Sequence, residues 1–423
     1  MIRFVILFTF LYSLLNCQTV SSQTNVKVNE YRSLYEPEET TIFINPLNTD
    51  NFIGGANTDI FYYTFDRGKT WKEGKLPGPV VYGDPVVYFD MLGNGYYVHL
   101  GPFTNTGIFI SKTTDGGIIW SNSKRIFGNE SGKPFMDKPW ICSDRNSNSE
   151  FSNNLYVCWT EFDKYHSYNP KDSSRILFSK STNKGNTFSK PIKISELCGD
   201  AKDGDSTVEG AVPTVGPDGQ IYVAWSGPRG IEFTSSYDGG ISFTKNVFVT
   251  EQVDGWSYDI PGLYRCNGLP FTDCDISSSE YNGTIYINFS DNRNGDYDVF
   301  IVKSTDEGET WSSPVRVNDD KVGNGKDQFM NHFCVDPISG VINVLFYDRR
   351  NYNDKKTDVI LARSTDGGTT YTNHKVSDNP FIPDKEIFFG DYIGVNSYND
   401  LVTCLWPRMD DKILSVRNYT NQF

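Results

Sequence analysis

Short runs of apolar and β-branched residues alternate with polar turn residues along most of the chain, for example TIYINFSDN at 284–292 and DVFIVKSTD at 298–306. Runs of this length and composition predict β-strands, and the Gly, Asn and Asp residues between them predict tight turns. No helical heptad pattern and no long Pro-, Gly- or Ser-rich linker interrupts the runs. The pattern therefore predicts a single all-β domain over residues 24–423.

One turn recurs six times. KSTDEGETW at 303–311 has near copies at 63–71, 112–120, 180–188, 235–243 and 363–371. We call these segments the acidic turns. In each of them the Asp or Asn can accept hydrogen bonds from backbone N–H groups of the turn, the Gly can adopt a positive φ, and the aromatic residue can pack between sheets. We expect a structural role, because acids spread around a rim cannot converge on a ligand.

The spacing of the acidic turns predicts the architecture. Their Asp or Asn residues are 49, 68, 55, 68 and 60 residues apart, which matches propeller blades of four strands. After the sixth turn and its following strand, three more strands appear in IGVNSYND, LVTCLWPRM and KILSVRNY, while TNVKVNEY near the start reads like a fourth strand. We therefore predict a seven-bladed β-propeller whose ring is closed by the N-terminal strand, with a six-bladed ring as the alternative.

The first residues resemble an export signal. MIRFVILFTFLYSLLNC combines Arg3 with an apolar run of about a dozen residues, the length of a signal-peptide core. We predict a signal peptide over residues 1–23, and a lipoprotein-type cut before Cys17, with lipid attached there, is the alternative. Because no other apolar run approaches about twenty residues, we predict a secreted or cell-surface protein without a membrane span.

Charge and composition restrict the classes of partner and cofactor that the chain can bind. The chain has 53 acidic and 39 basic residues, a net charge of −14, which disfavours nucleic acid as a partner. With four histidines and no CxxC pair we predict no cofactor and no metal site, although NRNGDYD and NYNDKKTD are either plain turns or loops that bind calcium. Cys266 and Cys274 either form a disulfide bridge or stay free. We expect a monomer.

Five arginines follow predicted second strands. Ligand sites of propellers usually lie on the face opposite the acidic turns, where the loops after the second strands meet the loops before the first strands. The five residues are Arg229, Arg293, Arg349, Arg350 and Arg408. Because an arginine fork binds a carboxylate with two hydrogen bonds, we predict that they bind an acidic sugar or another anion. The alternative is that each pairs with a neighbouring acid, such as Asp291 or Asp348.

Acidic residues stand near the start of five predicted innermost strands. They are Glu36, Asp84, Asp137, Glu209 and Asp391. A glycosidase needs one carboxyl group that donates a proton and another group that attacks or activates water. We therefore predict Asp84, Asp137, Glu209 and Asp391 as catalytic residues and Glu36 as a substrate ligand. The alternative is that these acids cap the starts of the strands.

The acidic turns resemble the Asp-box, or BNR repeat, of the sialidase superfamily, and residues 304–311 fit that repeat at every fixed position. The resemblance covers nearly the whole mature chain and implies a propeller fold. It also implies three arginines that hold a carboxylate, a Tyr and Glu nucleophile pair, and an Asp acid/base, so we add Tyr392 to the catalytic candidates. The first of those arginines is absent, because LYEPEE has Glu36 before Pro37. DRRN, PVRVNDD and FFGDYIG look more like secreted bacterial BNR-repeat proteins of unassigned activity.

Together these observations predict an exported sialidase-like propeller. We expect it to bind a carbohydrate or another extracellular polymer through an axial face lined by arginines and acids, and we leave catalysis open. The alternative is a glycoside hydrolase of the exo-sialidase type that acts on acidic glycans.

Overall fold

Burial of near-continuous apolar runs holds the strands together. The computed structural model describes residues 25–30, 37–78, 81–102, 104–128 and 133–423. Every residue is buried in Ile221–Gly227, in Ile285–Asp291 and in Ile342–Asp348. A strand buried on both faces needs apolar residues at successive positions, which is why these segments do not alternate strictly between apolar and polar residues.

Seven four-stranded antiparallel sheets follow one another along the chain, and we number them as blades 1 to 7. From the innermost to the outermost strand, blade 1 consists of Thr41–Ile44, Phe52–Ala56, Ile60–Thr64 and Lys72–Lys75. In the same order, blade 2 consists of Gly83–Phe89, Gly95–Leu100, Gly107–Thr113 and Lys124–Gly128. Blade 3 consists of Phe135–Ser143, Leu155–Phe162, Ser174–Ser181 and Ile192–Lys193. Blade 4 consists of Glu209–Val215, Ile221–Gly227, Gly230–Ser236 and Val247–Thr250. Blade 5 consists of Phe271–Cys274, Ile285–Asp291, Asp298–Ser304 and Val315–Arg316. Blade 6 consists of Gln328–Val335, Ile342–Asp348, Asp358–Ser364 and Thr372–Lys375. Blade 7 consists of Gly394–Tyr398, Leu401–Asp410, Ile413–Gln422 and, outermost, Val26–Lys27. A small two-stranded sheet, Ser257–Tyr258 with Cys266–Asn267, lies between blades 4 and 5.

The blades form a closed ring. The first strand of each blade contacts the first strands of both neighbouring blades, so seven innermost strands surround one axis. Blade 7 joins the two ends of the chain, because Val26–Lys27 pairs antiparallel with residues 417–418. Asn29 extends this pairing, since its Oδ1 accepts a hydrogen bond from the Val416 N–H at 2.8 Å. The predicted seven-bladed propeller closed by the N-terminal strand is confirmed, and the six-bladed alternative is wrong.

Each acidic turn connects the third and fourth strands of its blade. In blade 5, Asp306 Oδ1 accepts hydrogen bonds from the Ser304 hydroxyl at 2.7 Å and from the Thr310 N–H at 2.9 Å. These hydrogen bonds, led by those from Thr310, lower the pKa of the Asp306 carboxyl. The acid is satisfied within its own turn, so its role there is structural.

The same turn also fixes its blade to the preceding one. Gly308 has a φ of 92°, and a Cβ atom there would lie 2.1 Å from the Phe233 ring of blade 4. Trp311 packs against that ring from the side, with the two centroids 5.1 Å apart. Glycine is therefore required for the conformation and for the close approach.

The seven cysteines of the described chain are free thiols. Cys266 lies in the small two-stranded sheet and Cys274 ends the first strand of blade 5, so the disulfide alternative is not realised. Within the described ranges no helix is long and apolar enough to cross a membrane. The predicted signal peptide, Cys17 and Glu36 lie outside the described residues.

Asn29→Ala tests the closure of the ring. We expect the free energy of unfolding to fall by about 1–3 kcal/mol, because the buried Val416 N–H loses its acceptor. Urea denaturation of both proteins measures the difference. Lys27→Ala, which removes an exposed side chain and keeps the strand pairing, is the matched control, and equal stability of Asn29→Ala and this control would show that the contact does not hold the ring closed.

Candidate functional site

The first strands of four blades begin with the same irregularity. Their pairing with the second strands shifts register near the start in blades 2, 3, 4 and 6. At two of these shifts Asp84 and Lys138 adopt left-handed backbone conformations, with φ of 54° and 46°. Such conformations and β-bulges both cluster at functional sites. The strand starts surround one end of the ring axis.

Six carboxyl side chains meet at this end of the axis, and we call them the axial carboxyl cluster. They are Glu39, Asp84, Asp137, Asp203, Glu209 and Asp391. Four of them were predicted from the sequence, namely Asp84, Asp137, Glu209 and Asp391. The structure brings these four together from the starts of blades 2, 3, 4 and 7.

Asp391 is held by two cationic side chains. Its carboxylate accepts hydrogen bonds from Lys138 Nζ at 2.7 Å, from Arg265 Nε at 3.1 Å and Nη2 at 2.5 Å, and from Asn267 Nδ2 at 3.2 Å. Burial alone would raise the pKa of this carboxyl, but the charges of Arg265 and Lys138 outweigh burial and hold the pKa well below its usual range. Asp391 is therefore ionised.

Lys138 connects Asp391 to two further acids. Its backbone N–H donates to Asp84 Oδ2 at 2.9 Å and to Asp137 Oδ1 at 3.0 Å. Burial would lower the pKa of the Lys138 ammonium, but the surrounding carboxylates, Asp391 first among them, raise it. Lys138 thus stays charged and fixes the position of three carboxyl groups.

Asp84 and Asp137 form a carboxyl pair. Both side chains accept a hydrogen bond from the same Lys138 N–H, at 2.9 and 3.0 Å. Burial, and then the charges of Asp84 and Glu209, raise the pKa of Asp137 well above its ordinary value. Asp137 is partly exposed while Asp84 is buried. The accessible member of the pair therefore favours the protonated form.

Glu209 is a buried carboxyl without a complete set of partners. It is 1% exposed, and its Oε2 has no hydrogen-bond partner among the described residues. Burial, and then the charge of Asp203, raise its pKa well above the ordinary value. The side chain lines a small pocket together with Lys138, Arg265 and Asp391. Glu209 is thus available to a ligand in this pocket.

Glu39 joins the cluster from blade 1. Its Oε2 accepts a hydrogen bond from Asn57 Nδ2 at 2.7 Å, and Asn57 Oδ1 accepts one from the Asp84 N–H at 3.0 Å. Burial, and then the charge of Asp84, raise the pKa of Glu39. This network links blades 1 and 2 at the mouth of the axis.

Aromatic side chains lie beside the cluster. Trp140 packs against Tyr392, Phe271 and His332, with ring centroids 5.6, 5.1 and 5.5 Å apart. The Tyr392 hydroxyl donates to the Pro85 carbonyl oxygen at 3.2 Å, and burial raises the pKa of this phenol. Tyr392 is therefore held in packing contacts, with Lys138 Nζ 5.6 Å from the centre of its ring.

The five predicted arginines do not join this cluster. Four of them pair with acids, as the alternative interpretation has it: Arg229 with Glu232, Arg293 with Asp291, Arg350 with Asp348 and Asp319, and Arg408 with Asp410. Arg349 instead donates to the Pro261 carbonyl oxygen and to the Thr357 hydroxyl. The structure therefore places the five arginines apart from the cluster, on four separate blades. Among the described residues Lys138 and Arg265 donate to Asp391, and His166 Nε2 lies 3.9 Å from Asp203.

Sequence reasoning missed several of the side chains that complete the cluster. Lys138 follows the predicted Asp137 directly, and Glu39 lies three positions after Glu36. Arg265 lies in the connection between blades 4 and 5, inside one of the 68-residue intervals between acidic turns, and Asp203 lies in the connection before blade 4. Unusually long connections often carry functional residues, so their length was the available signal.

No group of three or more His, Cys, Asp or Glu side chains in the described ranges is arranged to hold a metal ion. In the two segments considered for calcium, Asp296 accepts hydrogen bonds from the Gly325 and Lys326 N–H groups, and Asp354 accepts one from the Lys356 N–H. Asp296 thus binds the neighbouring connection between blades 5 and 6, and Asp354 acts as an acceptor within its own loop.

Glu209→Gln tests the electrostatic state of the cluster. A carboxyl with a raised pKa binds its proton more tightly in the folded state, so its contribution to stability is present at low pH and is lost as pH rises from 4.5 through the folded pKa. We expect the variant to lose less stability than the wild type over this interval. Thermal unfolding from about pH 4 to about pH 8 measures the slopes. Glu150→Gln, at an exposed position, is the control, and identical slopes for all three proteins would contradict the expected titration.

Comparison with known proteins agrees with this architecture. No protein-family model matches the sequence, and no curated protein matches it. Among solved structures, a Dyadobacter fermentans protein of unknown function has a TM-score of 0.51 and 11% identity, over 95% of this chain and 100% of its own. An ulvan lyase, which is a polysaccharide lyase, has a TM-score of 0.51 and 12% identity, over 91% of this chain and 95% of its own. A Hadza microbial sialidase has a TM-score of 0.49 and 15% identity, over 88% of this chain and 73% of its own. The similarity to the Dyadobacter fermentans protein and to the ulvan lyase is a similarity of fold.

Proposed function

We propose that this protein is an exported propeller that binds a glycan at the axial carboxyl cluster and hydrolyses a glycosidic bond there. The observation that carries the proposal is the set of carboxyls with raised pKa values, namely the buried Glu39 and Glu209 and the partly exposed Asp137, beside the ionised Asp391. Carboxyls whose environments push their pKa values apart are typical of acid and base pairs in enzymes. A structural role alone does not explain why so many acids are buried together.

Asp137 is the proton donor in this proposal. Its raised pKa favours the protonated form, and it is partly exposed, unlike its partner Asp84. The Lys138 N–H, which contacts both carboxyls, keeps their orientation fixed. Asp137 gives its proton to the glycosidic oxygen as the bond between this oxygen and the anomeric carbon breaks.

Glu209 is the base. The place of its carboxyl in the pocket lets it accept a proton from the attacking water, whose oxygen bonds to the anomeric carbon. Asp84 shares the Lys138 N–H with Asp137 and is buried, so we assign the base to Glu209 rather than to Asp84. Solvent then takes the proton from Glu209 and returns one to Asp137. Asp391 is a positioning residue that holds Lys138.

The fold supports a glycan as the substrate. The ulvan lyase with a similar propeller is named for a polysaccharide, and propeller ligands bind at the axial mouth. The alternative, an exo-sialidase that acts on acidic glycans, has less support because the five predicted arginines are held elsewhere. A second candidate is a glycan-binding protein without turnover, which the deep burial of Glu209 and Asp391 favours.

Asp137→Asn separates hydrolysis from binding. We expect a loss of about 10²–10⁴-fold in kcat, because the proton donor is removed while the shape of the side chain is kept. Release of reducing ends from a panel of neutral, acidic and amine-bearing polysaccharides measures the activity. Arg229→Gln, which disturbs a paired arginine outside the cluster, should retain wild-type activity.

Equal rates for Asp137→Asn and the wild type would exclude Asp137 as the donor. If the wild type binds a member of the panel and cleaves none, the protein is a glycan-binding propeller.

The dependence of kcat/KM on pH should be bell-shaped. Activity falls at low pH as Glu209 becomes protonated, and falls at high pH as Asp137 loses its proton. Burial raises the pKa of both groups, so both limbs should lie above the ordinary carboxyl range of about 3.9–4.3. The two apparent values belong to the coupled cluster rather than to either residue. An acidic limb within the ordinary range would contradict the assignment of Glu209.

A further inference from the structure

The axial mouth has an excess of negative charge. Among the described residues six carboxyl groups form the cluster, whereas the Lys and Arg side chains in contact with it are Lys138 and Arg265, and His166 Nε2 lies 3.9 Å from Asp203. Both cations bind the same carboxylate, that of Asp391, at 2.7 and 2.5 Å. Arg265 also lies 3.4 Å from Asp203, so neither cation is free to bind an anionic ligand.

Glu209 offers a buried hydrogen-bond acceptor to a ligand. It is 1% exposed, its Oε2 has no partner among the described residues, and it lines the pocket beside Lys138 and Asp203. Leaving a buried carboxyl oxygen without a hydrogen bond costs free energy, and a donor supplied by a ligand would remove that cost. A donor that carries a positive charge would also reduce the repulsion between Glu209 and Asp203.

Lys138 shows how the cluster accommodates an ammonium group. Its Nζ is held at 2.7 Å by Asp391, and its side chain is only 11% exposed. Charged hydrogen bonds of this kind are about twice as strong as neutral ones. The neighbouring Glu209 offers a carboxylate acceptor of the same type with no such partner.

We propose that the glycan bound at this mouth carries a free amino group, as an unacetylated amino sugar does, and that its ammonium is recognised by Glu209. This inference rests on the proposed glycan site and adds the class of sugar. It predicts selection against uronic, sialic and sulfated sugars, because among the described residues both Lys138 and Arg265 already bind Asp391, and an anionic group would face the buried Glu209.

Binding by the inactive Asp137→Asn protein tests the inference without relying on turnover. The probes are oligosaccharides of glucosamine, N-acetylglucosamine and galacturonic acid, of equal length, studied by calorimetry at about 0.15 M salt, where charges farther apart than about 8 Å are screened. We expect the glucosamine probe to bind most tightly. Adding Glu209→Gln should weaken that binding about 10-fold or more and leave the N-acetylglucosamine probe unaffected.

Asp354→Asn in the same background is the matched control. It removes one exposed carboxylate from a loop after the second strand of blade 6, outside the cluster, and should leave the affinity within about twofold. Equal affinity for the acetylated and free amino sugars, tighter binding of the galacturonic acid probe, or no effect of Glu209→Gln would overturn the inference. So would the absence of binding by all three probes. Hydrolysis of a neutral glycan would keep the proposed function and reject this choice of sugar.

Discussion

Closure of the ring is the constraint on which the site depends. Seven innermost strands lie around one axis, and the hydrogen bonds between Val26–Lys27 and the last strand complete the seventh sheet. Because these strands begin at the same end of the ring, residues that are distant in the sequence meet there. Asp84 and Asp391, for example, belong to opposite ends of the chain and both bind Lys138.

Two opposing physical effects set the protonation states of the carboxyls in the cluster. Burial favours the protonated form of every acid there, whereas a nearby cation favours the ionised form. At Asp391 two cations outweigh burial, while at Asp137 and Glu209 burial and like charges dominate. A single location thus provides fixed charges and titratable protons, the combination that acid and base chemistry requires.

Local interactions could be predicted from the sequence, and non-local ones only in part. The acidic turns were recognisable because Asp306 and its partners lie within nine residues of one another. Ring closure followed from counting strands, and the acids at the strand starts followed from their position. The sequence left two roles open for the arginines, because their loops also contain acids, and Arg293 pairs with Asp291 two positions away. Arg265 lies in the long connection between blades 4 and 5. The path of this connection to the cluster cannot be predicted from the residues next to Arg265 in the sequence.

The pairing of the first strand with the last also sets an order for folding. Asn29 and Val416, which are joined by a hydrogen bond, are 387 residues apart in the chain. Domains generally begin to form during synthesis from the N-terminal side, so the first six blades can assemble while the ring is still open. The seventh sheet must wait until Ile413–Gln422 has been made. Until then an unpaired sheet edge remains exposed and can associate with other chains, so the open ring is vulnerable to aggregation.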